Sequence, residues 1–100
     1  MIIIRRVVGD SMTPELPAGT LVVAIMWPRS FKVGDVIVLE HNGLEKIKRI
    51  TQINNAQVFI AGDNPSASTD SRHFGWLPIS VIKARVIWPR QPTDSRLVGH

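Results

Sequence analysis

Apolar and polar residues alternate along this chain on a short period, broken at intervals by turn signals. Residues 2–8 are rich in β-branched side chains and read as a strand. "TLVVAIMW" (20–27) is a near-continuous apolar run, the pattern of a buried strand. "DVIVLEH" (35–41) and "LEKIKRITQI" (44–53) alternate, and Asn42-Gly43 between them is the strongest short hairpin signal in the chain. Asn54-Asn55 marks a second tight turn before "AQVFIAG" (56–62), and "ISVIKARVIW" (79–88) returns as a strand. "PRSFKVGD" (28–35) is a connection that ends in a Gly-Asp turn. Residues 63–78 read as a long polar loop with Pro65 and Pro78 at its ends, and loops of that length are either functional or disordered. "PRQPTDSRLVGH" has no apolar period and reads as a mobile tail. The expected fold is mostly β: a small coiled, barrel-like sheet forming a single domain over residues 1–89, with a tail over 90–100.

Composition narrows the function classes. One hundred residues hold one hydrophobic core. The net charge of +4 is spread along the chain, with local basic pairs only at Arg5-Arg6 and Lys48-Arg49. A clustered basic face would be needed for nucleic-acid binding, so none is expected; weak attraction to an anionic membrane surface is compatible with the charge. There are no cysteines, and His41, His73 and His100 lack ligand spacing, so neither a metal nor a cofactor is expected. The opening "MIIIRR" is far short of the ~20 apolar residues of a spanning helix. Its charges also follow the apolar run, the reverse of a secretory signal. A soluble chain is expected, cytoplasmic or peripheral at a membrane.

The chemistry centres on "GDSMTPEL" (9–16), where Ser11 follows a Gly-Asp pair, and Pro14 and Pro17 prevent a long helix. A serine hydroxyl is a poor nucleophile until a base sits beside it. In "EKIKRI", alternation puts Glu45, Ile47 and Arg49 on one face and Lys46, Lys48 and Ile50 on the other. A lysine set among isoleucines can be driven toward the core, and desolvation then lowers a pKa that starts near ~10.4. A fall of ~3 units corresponds to ~4 kcal/mol and yields a base able to work near neutral pH. Strand lysines also snorkel to water, and serines beside Gly-Asp also cap turns. The residues alone leave both readings open.

Three blocks in order resemble type I signal peptidases and their relatives, the Ser-Lys endopeptidases that include self-cleaving repressors. "GDSMTPELPAGTLVVA" resembles the nucleophile block, "GDVIVL" with "EKIKRI" the lysine block, and "IAGDNPSASTDSRHFGWLPISVIKARV" the Gly-Asp-Asn block and the strand after it. The resemblance implies Ser11 as nucleophile, Lys48 as general base and Ser68 as the hydroxyl that orients the amine. It implies an Asp70–Arg72 ion pair that holds the loop, and Gly62, Asp63 and Asn64 as the turn that brings the loop in. Asp63 and Asn64 also read as plain turn chemistry. Lys46 falls off the motif and reads as a solvated strand lysine. Many members carry a serine two residues before the nucleophile to help the oxyanion hole; here that position is Gly9. The hole would then rest on the Ser11 N–H, and one such donor can contribute ~3 kcal/mol.

The implied substrate is a protein or peptide precursor bound as an extended strand along residues 5–9 and 45–48. Small side chains one and three positions before the cut would meet Val7, Met12, Leu16 and Ile47, although core packing explains those four equally well. The stretch "GDNPSASTDSRHFG" most resembles small relatives that trim the leader of nickel-type superoxide dismutase. Alternatives are a conventional signal peptidase lacking its membrane anchor, or a non-catalytic peptide-binding module on the same fold. A self-cleaving repressor is not expected, because the ten residues before Ser11 leave no place for a DNA-binding domain.

Overall fold

The computed structural model describes residues 1–90, so the expected tail lies almost wholly outside the described residues. The elements are β1 (Ile2–Arg6), β2 (Leu21–Met26), β3 (Val36–His41), β4 (Leu44–Asn54), β5 (Gln57–Ala61), α1 (Ser71–Phe74), β6 (Leu77–Pro78) and β7 (Ile82–Trp88). Single 3₁₀ turns lie at Pro65–Ala67 and Ile79–Val81. The strands form one open antiparallel sheet in the order β1-β2-β7-β3-β4-β5-β6. The fold is mostly β, as expected.

The β3–β4 hairpin turns at Asn42 and Gly43, both at positive φ (53° and 77°), as a two-residue turn matched to strand twist requires. Its register pairs Ile37 with Lys48 and Val38 with Ile47. Side chains opposite each other share a face of the sheet, so Lys48 and Ile47 point to different sides.

Both sides are covered. One cluster contains Val7, Met12, Leu16, Val22, Ala24, Val36, Val38, Ala84 and Val86, with Ile47 packed against it. The other contains Ile37, Leu39, Ile50, Val58, Ile60, Leu77 and Ile82. Strand β3 serves both, which is why Val36 to Leu39 are all buried although the sequence alternates only loosely. At roughly 1.5–3 kcal/mol for each fully buried aliphatic side chain, these two clusters supply the main force holding the sheet together.

The sheet curls around the first cluster and brings β1 beside β4, which lie far apart in the strand order. Arg5 Nε donates to Glu45 Oε1 at 2.5 Å, and Lys83 Nζ of β7 reaches Glu45 Oε2 at 2.9 Å. Between the two strands lie unpaired edges. Among the described residues β1 pairs only with β2, and β5 begins its pairing with β4 at Arg49, which leaves Leu44 to Lys48 without a described partner strand on that side.

Three expectations are corrected. The run at 20–27 is buried on one side only: Val22 and Ala24 are fully buried, while Leu21 and Trp27 are exposed, because among the described residues no element packs over the outer surface of β1 and β2, where Ile2 and Ile4 are exposed as well. Residues 63–78 are not a bare loop; they hold a 3₁₀ turn, α1 and β6, anchored where the Ile60 N–H donates to Ser71 Oγ at 2.9 Å. Lys46 is half-buried rather than fully solvated, with its ammonium 5.3 Å from the centre of the Phe74 ring.

Candidate active site

A groove of 620 Å³ opens between the free edges of β1 and β4 and runs to the loop that follows β1. Ser11 and Lys48 both line it. Strand β1 ends at Arg6, and Val7 stays tied to the sheet by its N–H to Thr20 O at 2.8 Å. The chain then bends at Gly9, whose φ of 78° suits a residue without a side chain. Ser11 follows on a turn, half-buried, and its hydroxyl and N–H have no hydrogen-bond partner among the described residues.

Lys48 is 5% exposed. Its Nζ donates to Ser68 Oγ at 2.8 Å, and Ser68 Oγ donates to Asp70 Oδ2 at 2.6 Å. Burial pulls the Lys48 amine below the ordinary lysine range; Asp70 opposes that shift, and Lys46 and Arg72 add to it. Asp70 is itself held by several other donors. Its carboxylate, fully buried, accepts from Gly62 N at 2.8 Å, Arg72 N at 3.1 Å and Arg72 Nε at 2.9 Å, and Arg72 Nη2 closes the ion pair. Burial alone would raise the Asp70 carboxyl, but these hydrogen bonds outweigh it and hold the group well below the usual carboxylate range. The lysine is therefore buried opposite Ile37 with one oriented hydroxyl and, among the described residues, no direct carboxylate partner, which favours the neutral amine.

The loops carrying Ser11 and Ser68 are held against each other. Asn64 N donates to Ser11 O at 2.8 Å. A Cβ built on Gly62 would lie 2.5 Å from Ser11 O and 2.7 Å from Ser68 Cβ, so only glycine fits where the two loops touch. Of the residues expected to form pockets, Val7, Met12 and Ile47 reach the groove, and Leu16 sits behind them in the first core cluster. Gly9 lies on the groove's lip.

Two residues matter more than the sequence reading allowed. Arg49 is buried and grips Asp63 with two parallel bonds, Nε to Oδ1 and Nη2 to Oδ2, each 2.8 Å, while its Nη1 donates to Gly34 O at 2.8 Å. This planar fork fixes the Gly62-Asp63 turn to β4 beside Lys48. Asp63, weighed before as turn chemistry, is thus one end of a buried ion pair. The available signal was Ile47: an apolar residue on Arg49's face marks that face as covered. Thr13 is the second, bonded to both Asp10 and Asn64.

Among the described residues no three His, Cys, Asp or Glu side chains gather as a metal site, and no helix is long and apolar enough to cross a membrane.

Residues 2–77 match the Peptidase S24-like family. The chain is 33% identical over 120 aligned positions to the mitochondrial inner membrane protease subunit 1 of Schizosaccharomyces pombe, which covers 91% of this chain and 76% of that protein. It is 28% identical over 109 positions to the mitochondrial ATP-independent inner membrane protease subunit 1b of Arabidopsis thaliana, covering 80% of this chain and 64% of the relative. A shorter match to the mitochondrial inner membrane protease subunit 1 of Xenopus tropicalis is 39% identical over 46 positions and spans only 28% of that protein. With three quarters of its length inside the family match, this chain belongs to the Peptidase S24-like family of signal-peptidase-like proteins.

Proposed function

We propose that the chain is a serine endopeptidase in which Ser11 is the nucleophile and Lys48 the general base, and that it removes an N-terminal leader from a protein precursor. The observation that carries this reading is the buried Lys48 amine, oriented by Ser68 at 2.8 Å and lining the same groove as the Ser11 hydroxyl. Neutral Lys48 takes the proton from Ser11 Oγ as that oxygen bonds to the scissile carbonyl carbon. The carbonyl oxygen becomes an oxyanion and turns to the unpartnered Ser11 N–H. When it collapses, the C–N bond breaks and Lys48 gives its proton to the departing amine. Water then attacks the acyl carbon as Lys48 takes its proton, and when the acyl C–O bond breaks Lys48 returns that proton to Ser11 Oγ, freeing the acid product and restoring the neutral amine.

The substrate lies extended between the open edges of β1 and β4, where unpaired backbone groups on both sides can bond to it. Alternate side chains face inward against Val7, Met12 and Ile47, which favours small residues one and three positions before the cut. The stretch "GDNPSASTDSRHFG" supports a nickel superoxide dismutase precursor as the substrate. A second reading, cleavage of precursors delivered at a membrane, is favoured by relatives named inner membrane proteases.

Mass spectrometry of leader-bearing peptides of both kinds, after incubation with wild type or Ser11→Ala, tests this. Cleavage at one site after a small residue, abolished by Ser11→Ala, is expected. Equal products from both proteins would refute Ser11 as the nucleophile, and none from wild type would refute the reading in favour of the peptide-binding module. The preferred leader separates the two substrate readings.

A further inference from the structure

We infer that Thr13, held by Asn64, is a positioning residue that aims the Ser11 N–H at the oxyanion. The inference rests on the reading of Ser11 as nucleophile and adds the part that sets its oxyanion donor.

The donor belongs to the peptide joining Asp10 to Ser11. That peptide is trans, so its C=O and N–H point in opposite directions. Its carbonyl, Asp10 O, accepts from Thr13 Oγ1 at 2.8 Å and from Thr13 N at 3.2 Å. Two donors from one residue thus fix the peptide plane, and they fix it with the Ser11 N–H facing away from Thr13 and without a partner of its own.

The threonine hydroxyl has one proton, which it gives to Asp10 O, and it accepts on its other side from Asn64 Nδ2 at 3.0 Å. Asn64 is held in turn, because its Oδ1 accepts from Ser66 Oγ at 2.9 Å and its N–H donates to Ser11 O at 2.8 Å. Both peptides flanking the nucleophile are therefore anchored through Thr13 and Asn64. Gly9 offers no hydroxyl to share the oxyanion, so a single backbone donor carries that load and its direction matters more. Valine has threonine's shape without the hydroxyl and keeps only the weaker 3.2 Å bond, leaving the plane free to rock.

The test uses the full chain and a cleavable leader peptide. Thr13→Val should lower kcat about 10–100-fold with KM changed less than about 3-fold, the split expected when a donor acting only in the transition state is misaligned. The pH midpoint for Lys48 should not move, because the base is untouched. Thr13→Ser, which keeps the hydroxyl, should restore kcat to within about 3-fold. Asn64→Ala should fall between the two and serves if Thr13→Val folds poorly. Wild-type kcat in both Thr13→Val and Asn64→Ala would overturn the inference and leave the Ser-Lys reading standing. So would losses that appear in KM or as a shifted midpoint. A wild type that cleaves nothing would overturn both.

Discussion

Gly62→Ala tests the claim that the site depends on two loops in close contact. The new Cβ would meet Ser11 O at 2.5 Å and Ser68 Cβ at 2.7 Å. Neither neighbour yields easily: Ser11 O is backbone and is bonded to Asn64 N, and Ser68 is held by Lys48 and Asp70. Ordinary contact requires the loops to part by roughly 1 Å. Overpacking of this kind costs about 1–3 kcal/mol, and a 1 Å misplacement of reacting groups costs on the order of 100-fold in rate. Urea unfolding should show a loss near ~2 kcal/mol with an unchanged slope, and kcat/KM should fall about 100-fold. Gly43→Ala is the control, since Gly43 also has positive φ (77°) but a Cβ there meets nothing within 4 Å. It should lose about 1 kcal/mol from the hairpin turn and keep its rate. A Gly62→Ala protein cleaving within about 3-fold of wild type would refute the argument.

Asp70→Asn should cost about 2–4 kcal/mol, because it unpairs Arg72 and removes a buried acceptor shared by Gly62 and Ser68. The folded pKa of Asp70 is depressed, so its contribution is present above the unfolded value near 3.8 and is lost as pH falls below it toward the folded pKa. Urea melts in acid should therefore show a flatter loss for Asp70→Asn than for wild type. Lys48 works in the opposite sense: its lowered folded pKa means the buried ammonium destabilises below that pKa, and the penalty is relieved as pH rises toward 10.5. Lys48→Met should be at least as stable as wild type at pH 7 while inactive, and the difference should narrow at pH 10. A Lys48→Met protein markedly weaker than wild type at pH 7 would contradict that sign.

Much of this was legible because short-range chemistry decided it. Asn42-Gly43 placed the hairpin, and alternation in "EKIKRI" put Lys48 and Ile47 on different faces, as the register with Ile37 and Val38 confirms. The apolar run at 20–27 misled because a run cannot reveal that only one of its faces meets another layer; Trp27 and Leu21 stay exposed. Residues 63–78 hid their structure because α1 is four residues long and rests on a capping box and the Asp70–Arg72 pair rather than on an apolar stripe. Arg49 and Asp63 were obscure for a similar reason. Their ion pair joins residues fourteen apart in sequence, and it is the pairing of β4 with β5, Arg49 opposite Ala61, that brings Asp63 into reach.

The most direct test of the account is the pH dependence of kcat/KM for a leader peptide between about pH 5 and 11. The rate should rise with loss of one proton from a group whose pKa lies below the ordinary lysine value of 10.5, and Lys48→Met should abolish the rising limb with the activity. A limb that persists in Lys48→Met, or one centred at 10.5 or above, would contradict the claim that a desolvated Lys48 is the base.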